Sequence, residues 1–277
     1  MHIKHYLDRI GFKGPVAPTL ECLNKLHRCH AFTIPYENLD VQLQRPLDFD
    51  LERIYDKIVL RRRGGWCYEV HTLFHWVLSE IGFDVSLVSA GVERRELGDG
   101  QLGNHVAVLV RLDQIYLADL GLGDGLREPI PLQEGAYRQG KLEFKLEKIE
   151  GDYWRFLNHG NGVPSSFDFK NEPLNLALVE AKNHDLQTSS ESDFVKTLAC
   201  QIMQLNSVTC LTGRVLREKT PEGVNKRLLQ EDEFQGVLVD VFGLDDEEAI
   251  TLWPKIDKRH REVFGDKTAE QIDYQGF

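Results

Sequence analysis

The sequence predicts an α+β fold with a helical first third, a mostly antiparallel β middle and a mixed final third. Apolar residues recur at three- and four-residue spacing as far as Gly82, and after that point they alternate. Turn signals then follow about every ten residues. No internal repeat or low-complexity linker divides the 277 residues, so we expect them to pack as one unit.

Three helices are predicted before residue 83. Thr19 is a plausible N-cap for the first helix, and Asp48 or Asp50 can cap the second. The third helix has strict three-four spacing over residues 70–81, and Gly82 is its stop signal.

The alternating segments that follow predict antiparallel strands. Residues 194–203 and 208–216 predict a further strand pair, unless the first of them is a short helix. A late amphipathic helix is expected from Phe234 to Gly243. The predicted strands of the middle third are residues 85–90, 105–110, 115–118 and 142–146.

Composition excludes several classes of protein. Apolar residues make up 42% and charged residues 28% of the chain, which excludes a disordered or fibrous protein. The net charge of −11 is opposite to that of a protein that tracks a nucleic-acid backbone. No apolar run approaches the ~20 residues of a membrane span, and the first residues lack a signal-peptide pattern. We therefore expect neither a nucleic-acid nor a membrane partner.

Five cysteines with no C-x-x-C pair argue against a disulfide framework. They predict a reducing compartment, and hence a cytoplasmic location, in which a reactive thiol can persist. The cysteines that lie in apolar-patterned segments are interpreted as small buried hydrophobic residues; these are Cys22, Cys29, Cys200 and Cys210.

Cys67 differs from the other four cysteines. It follows Gly64, Gly65 and Trp66, and the two glycines allow a sharp turn or close approach of a ligand. It lies in the first turn of the third helix, where unpaired N–H groups and the helix dipole favour negative charge. An inward-facing thiol in this position is typical of a catalytic cysteine.

A metal site is the alternative interpretation of this helix. Cys67, His71 and His75 form a Cys-x3-His-x3-His pattern with possible ligand spacing. However, side chains four residues apart drift by about 40° around a helix, so His75 leaves the face of Cys67. No fourth ligand is evident, and we predict no metal.

His105 and Asp119 are the stronger partners for the thiol. His105 opens an apolar strand, and Asp119 ends the next one among apolar neighbours, where a carboxylate is costly unless it is paired. With an odd loop at residues 112–114, Asp119 lies opposite Ala107, one diagonal from His105. A two-residue loop would place the two side chains on opposite faces. The glycine-rich run at 121–125 can cradle a phosphate or make room for a bulky ligand.

Cys67, His105 and Asp119, in this order, resemble the arylamine N-acetyltransferase family. The similarity covers nearly the whole chain, and its most specific match is Arg-Arg-Gly-Gly-Trp-Cys at residues 62–67. Further matching segments follow in order at residues 6–12, 26–39, 104–105, 119–123, 129–132 and 183–194.

The resemblance implies a fold in three parts with a papain-like Cys-His-Asp arrangement. A helical bundle over residues 1–83 would carry the nucleophile. A central antiparallel β-barrel-like domain over residues 84–190 would carry His105 and Asp119. Residues 191–277 would form a C-terminal α/β lid.

The resemblance also implies a ping-pong reaction. An acetyl group would pass from acetyl-CoA to Cys67, and from there to an arylamine, an arylhydrazine or an N-hydroxyarylamine. The same triad would also serve an amide synthase that joins a carrier-bound acyl chain to an arylamine, or a hydrolase that uses water as the acceptor. A non-catalytic thiol or metal-binding protein is a further, less favoured interpretation. No oligomeric state is predicted.

Binding residues follow from the same resemblance. Two departures from the family concern His71, where asparagine is usual, and Leu122, where an aromatic residue commonly lines the acceptor pocket. Asp185 and Glu191 add negative charge near the expected coenzyme A region. The residues expected to bind coenzyme A are Gly103, Asn104, Gly121, Gly123, Gly125, Thr188 and Ser189, and those expected to line the acceptor pocket are Tyr36, Trp66 and Leu122.

Overall fold

The computed structural model describes residues 1–272 of the chain. The helices are α1 (Ile3–Arg9), α2 (Leu20–Ala31), α3 (Leu39–Gln42), α4 (Leu51–Tyr55), α5 (Cys67–Ile81), α6 (Arg94–Leu97), α7 (Leu176–Thr188), α8 (Asp193–Lys196), α9 (Glu231–Phe242) and α10 (Trp253–Phe264). The strands are β1 (Tyr36–Glu37), β2 (Asp84–Val92), β3 (His105–Arg111), β4 (Ile115–Leu117), β5 (Ile130–Pro131), β6 (Gly135–Gln139), β7 (Leu142–Lys148), β8 (Trp154–Leu157), β9 (Ser166–Phe169), β10 (Ala199–Met203), β11 (Val208–Thr212), β12 (Val215–Thr220) and β13 (Gly223–Leu228).

The ends of the predicted helices are confirmed. The Thr19 side chain accepts a hydrogen bond from the Cys22 N–H at the start of α2. Asp50, rather than Asp48, caps α4, which continues into a single π-helical turn. Gly82 ends α5 in the left-handed region, at φ 99°, where glycine meets no steric penalty.

The larger sheet has eight antiparallel strands in the order β5-β4-β3-β2-β9-β8-β7-β6. Side chains from distant strands of this sheet, including Leu109, Phe144, Phe156 and Phe167, meet in one buried cluster. The sheet therefore curls around its own core, and the predicted α+β fold with a barrel-like middle is confirmed.

The pairing of β3 with β4 decides where Asp119 lies. Leu109 pairs with Leu117, and Arg111 pairs with Ile115 across the three-residue loop 112–114. Extending this register places Asp119 opposite Ala107. The predicted odd loop is thus confirmed.

The smaller sheet joins the two ends of the chain. Its strand order is β1-β10-β11-β12-β13, and Tyr36 pairs with Gln201. Residues 194–203 contain both of the predicted elements, the short helix α8 and the strand β10. The late helix α9 is confirmed, whereas α10 follows it in a region where the sequence pattern indicated no element.

One hydrophobic cluster crosses the three predicted segments. It contains Tyr6, Phe74, Val108 and Cys210, all of which are buried. The segments thus share a core, and the division of roles between 1–83, 84–190 and 191–277 stays a prediction. Among residues 1–272, no helix has the length and apolar character needed to span a membrane.

A buried network of charges lies beneath the start of α5. Lys57 Nζ donates to both carboxylate oxygens of Glu69 at 2.9 Å and lies 2.7 Å from an Asp40 oxygen. Arg63 pairs with Glu37 at 3.2 Å. The Arg9 guanidinium donates to backbone carbonyls instead of a carboxylate.

We expect the substitution Lys57→Met to lower the free energy of unfolding by about 3–5 kcal/mol, because it leaves the buried Glu69 carboxylate without its cation and removes one cation from Asp40. Urea unfolding measures the effect. Arg53→Met is the matched control, since Arg53 is 72% exposed and pairs with Asp48 at the surface, so its loss should cost about 0–1 kcal/mol. Equal losses in the two variants would contradict the proposed importance of the network.

Candidate active site

Cys67 is the first residue of α5 and is 4% exposed. The chain before it needs glycine, because a Cβ on Gly64 would lie 2.3 Å from the Pro35 carbonyl oxygen. A Glu69 oxygen accepts the Trp66 N–H at 3.3 Å and thereby holds the start of the helix. As a first-turn residue, Cys67 carries an N–H group with no partner four residues earlier. The positive end of the helix dipole favours negative charge on Sγ, and the unpaired N–H group can stabilise an oxyanion beside it.

His105 and Asp119 form a buried pair. His105 Nε2 lies 2.7 Å from Asp119 Oδ2, and both residues are almost fully shielded from solvent. His105 is at the start of β3, and Asp119 lies just beyond β4 in the register given above. The Cys67 Sγ lies 4.0 Å from the carbonyl oxygen of Asn104, the residue before His105. The structure therefore brings Cys67, His105 and Asp119 together.

His105 and Asp119 each stabilise the charged form of the other. Burial alone would lower the pKa of His105, but the charge of Asp119 and the hydrogen bond to it, with smaller contributions from Cys67, raise that pKa to about 10. Burial alone would raise the pKa of Asp119, but the charge on His105 holds it below its usual value. At neutral pH the pair is thus an imidazolium and a carboxylate beside Cys67.

Two further histidines hold the segment that carries Asp119. His71 Nε2 accepts hydrogen bonds from the N–H groups of Leu120 and Gly121, at 2.9 and 3.1 Å. His27 Nε2 donates to the Asp119 carbonyl oxygen at 3.0 Å. Burial lowers the pKa of both imidazoles to about 4, so both are neutral at neutral pH. His71 must be neutral to accept these hydrogen bonds, because an imidazolium has no free lone pair on nitrogen.

The residues with metal-ligand chemistry in this region are His71, His105 and Asp119, whose ligand atoms lie within 4.8 Å of one another. The lone pair of His71 Nε2 already accepts two N–H groups, and His105 is bonded to Asp119. His75 lies apart from the set, near Val85. This donor arrangement does not suit a metal ion, and the absence of a metal stays a prediction.

Gly121 lies directly against Cys67. A Cβ on Gly121 would lie 2.8 Å from the Cα and Cβ of Cys67 and 2.6 Å from a ring carbon of His71. Only glycine allows this approach without a shift of the backbone, and the Gly121 N–H also donates to Asp119 at 3.2 Å. The glycine therefore sets the distance between the thiol and the Asp119 segment.

A cleft of about 280 Å³ opens onto Cys67 and His105. Four further residues from the predicted binding set line it: Tyr36, Asn104, Gly121 and Leu122.

The remaining predicted binding residues of this region lie around the cleft rather than in its wall. Gly103 accepts the Tyr68 hydroxyl at 2.8 Å, and Trp66 is buried. Gly123 adjoins the side chain of Gln201, and Gly125 adjoins Leu122.

Thr188 and Ser189, at the end of α7, are outside the lining of the cleft. Thr188 Oγ1 donates to the His184 carbonyl oxygen, and Ser189 Oγ accepts the Glu191 N–H. Both hydroxyls thus cap local backbone, and their assignment to coenzyme A stays a prediction.

Sequence reasoning missed several residues that line the cleft. Leu186, Phe194 and Gln201 come from the final third, and Val163–Pro164 come from the loop after β8. Leu186 and Phe194 lie within the segment 183–194 that resembles the family, but no local signal marks Gln201 or the loop residues Val163–Pro164 as lining residues. Gln201 reaches the cleft because it pairs with Tyr36. This side of the cleft therefore forms only when β10 pairs with β1.

Comparisons with known proteins agree with this geometry. A family model described as N-acetyltransferase matches residues 19–250. The chain is 29% identical to arylamine N-acetyltransferase 1 of Oryctolagus cuniculus, over 88% of this chain and 94% of that protein. It is 28% identical to arylamine N-acetyltransferase 1 of Homo sapiens, over 95% of this chain and 99% of that protein.

Solved structures are similar over the same length. The arylamine N-acetyltransferase of Mycobacterium abscessus superposes with a TM-score of 0.82 at 28% identity, over 93% of this chain and 95% of that one. The Mycobacterium marinum arylamine N-acetyltransferase in complex with CoA gives a TM-score of 0.82 at 28% identity, over 93% of this chain and 99% of that one.

We expect Asp119→Asn to slow alkylation of Cys67 by iodoacetamide at neutral pH by about tenfold or more. Without the carboxylate, burial lowers the pKa of His105 and removes the positive charge beside the thiol. Peptide mass mapping after timed alkylation gives the rate for each cysteine. The half-buried Cys29 is the internal control. An unchanged Cys67 rate would contradict the charge state assigned to His105.

The substitution Gly121→Ala is expected to lower the free energy of unfolding by about 1–3 kcal/mol and to slow Cys67 alkylation, because the added methyl group forces the Asp119 segment away from α5. Gly100→Ala is the control, since a Cβ there meets nothing within 4 Å. Thermal unfolding and the same alkylation assay measure both effects. If both variants alkylate at the wild-type rate, Gly121 does not set the geometry of the site.

Proposed function

Because the chain belongs to the arylamine N-acetyltransferase family, we propose that it transfers an acetyl group from acetyl-CoA to an aromatic amine through Cys67. Family membership makes the protein an acyltransferase. The assignment of roles to individual residues rests on one observation: the buried His105–Asp119 pair, 2.7 Å apart, in a cleft that contains the Cys67 thiol.

In the first half-reaction, the Cys67 thiolate attacks the thioester carbonyl carbon of acetyl-CoA while His105 is an imidazolium. The carbon–sulfur bond to coenzyme A breaks, and the departing sulfur takes a proton from the His105 imidazolium. The products are acetyl-Cys67, free coenzyme A and neutral His105. Asp119 holds the imidazole in orientation and stabilises its charged form.

In the second half-reaction, the amine nitrogen attacks the acetyl carbonyl carbon. The amine gives up a proton to His105, and the bond from carbon to Cys67 Sγ breaks. This step regenerates the thiolate and the imidazolium, and the released product is an N-acetylated amine. The unpaired N–H groups in the first turn of α5 are placed to stabilise the oxyanion in both steps.

The acceptor side of the cleft combines apolar and amide groups. Leu122 and Phe194 supply apolar surface, and Gln201 supplies an amide. An arylamine, arylhydrazine or N-hydroxyarylamine fits this surface, because its ring is apolar and its amine is uncharged at neutral pH. No feature of the cleft favours an amide synthase or a hydrolase. A reducing, cytoplasmic setting is proposed because the free Cys67 thiol must stay reduced.

Intact mass spectrometry after mixing with acetyl-CoA tests this function. We expect one acetyl adduct per chain, cleared when an aromatic amine is added, and no adduct in Cys67→Ala because the attacking sulfur is gone. Cys29→Ala is the matched control, and we expect it to behave as the wild type. An adduct that persists in Cys67→Ala would overturn the assignment of the nucleophile, and clearance without amine would identify a hydrolase instead.

A further inference from the structure

A second pocket lies on the other side of α8 from the cleft. Phe194 of α8 lines the cleft, whereas Lys196, two residues later, lines this pocket of about 40 Å³. We call it the basic pocket, and its polar lining residues are Gln42, Lys196, Thr197, Thr212, Lys255, Arg259 and His260.

The charge of the basic pocket is opposite to that of the chain. The protein has a net charge of −11, yet no carboxylate is found among the described residues that line the pocket. Lys255 and Arg259 lie four residues apart on α10, which places them on one face of the helix. Within residues 1–272 neither side chain has an ion pair. By contrast, Arg261 on the same helix pairs with Asp257 at 2.8 Å.

Several polar groups at the pocket lack partners in the described part of the chain. Thr212 is 4% exposed, and its hydroxyl is buried without a hydrogen bond. Arg259 Nε is likewise buried without an acceptor. Burial also lowers the pKa of Lys255. Leaving such groups unsatisfied is costly, and a bound anion would supply acceptors to all of them.

We propose that the basic pocket binds a phosphate group. One water needs about 10–15 Å³ of such a cavity, so the space equals about three waters and suits a phosphate group. A guanidinium, an ammonium and a hydroxyl surround it, and these are donors that phosphate oxygens accept strongly. The Lys196 ammonium adds to this set while it remains paired with Glu191 at 3.0 Å.

Two sources of phosphate fit the position of the pocket. A phosphate of coenzyme A is one source, because the pocket and the mouth of the cleft lie on either side of one helical turn. This form of the proposal rests on the proposed function. A separate phosphate ester is the other source, and it needs no reaction at Cys67.

Calorimetric titration of the full chain with inorganic phosphate and with adenosine 3′,5′-bisphosphate, at constant ionic strength, tests the pocket. We expect saturable binding, weakened about tenfold or more by Lys255→Met and by Arg259→Gln. Lys258→Met is the matched control: it removes the same charge from the same helix, but its side chain is 79% exposed, and we expect a change of about twofold or less. Absence of saturable binding, or equal weakening by Lys258→Met, would overturn the proposal.

The variant Thr212→Val keeps every charge and removes one hydroxyl. Weaker phosphate binding in this variant supports a built site, whereas an unchanged affinity together with wild-type stability would contradict the role of the hydroxyl. Arg259 is half-buried, so thermal unfolding is measured for each variant. Lys255 is more exposed than Arg259, so Lys255→Met keeps the test valid if Arg259→Gln is unstable.

Kinetics distinguish the two sources. If the phosphate belongs to coenzyme A, Lys255→Met raises KM for acetyl-CoA and leaves KM for S-acetylpantetheine, which has no phosphate, unchanged. If KM for both donors is unchanged while phosphate binding is lost, the source is a separate phosphate ester. Phosphate binding is also measured in Cys67→Ala, where it should persist. If no acetyl adduct forms, phosphate binding at the basic pocket is still tested. If phosphate does not bind, the acetyl adduct still tests the proposed function.

Discussion

The buried carboxylate of Asp119 is the group on which the site depends. A carboxylate without solvent is stable only with partners, and here the partners come from four parts of the chain. His105 supplies the charge at 2.7 Å, Gly121 donates a backbone N–H, His71 holds the two N–H groups that follow Asp119, and His27 donates to its carbonyl oxygen. Because α2, α5 and β3 all contact this one residue, the position of Cys67 relative to His105 is a consequence of the packing of the fold.

The start of α5, which carries Cys67, is held by a second group of buried charges. Lys57 and Arg63 neutralise carboxylates at the base of the helix, and Glu69 connects Lys57 to the Trp66 N–H. Burial raises the pKa of Glu69 to about 7, while the Lys57 charge acts against this rise. Each of these buried cations is matched by carboxylates, so the network fixes the start of α5 without adding net positive charge to the site.

Sequence reasoning predicted the parts of this account that depend on local pattern. The caps at Thr19 and Gly82, the first-turn position of Cys67 and the odd loop that aligns Asp119 with Ala107 all follow from residue type and spacing. The far wall of the cleft does not follow, because Gln201 reaches Tyr36 only through pairing of strands about 165 residues apart in the sequence. The sequence pattern also did not predict that His71 accepts hydrogen bonds. Its donors, the N–H groups of Leu120 and Gly121, lie beyond β4 and reach α5 only in the folded chain.

The central claim is that His105 is an imidazolium held by Asp119 beside a reactive thiol. Nitrogen-15 NMR of the imidazole groups, with His105→Gln used to assign the resonance, tests it most directly. The account predicts that both ring nitrogens of His105 carry protons at neutral pH and remain protonated until the pH approaches about 10. A His105 ring with one unprotonated nitrogen at neutral pH, titrating near the ordinary histidine pKa of about 6.5, would contradict it.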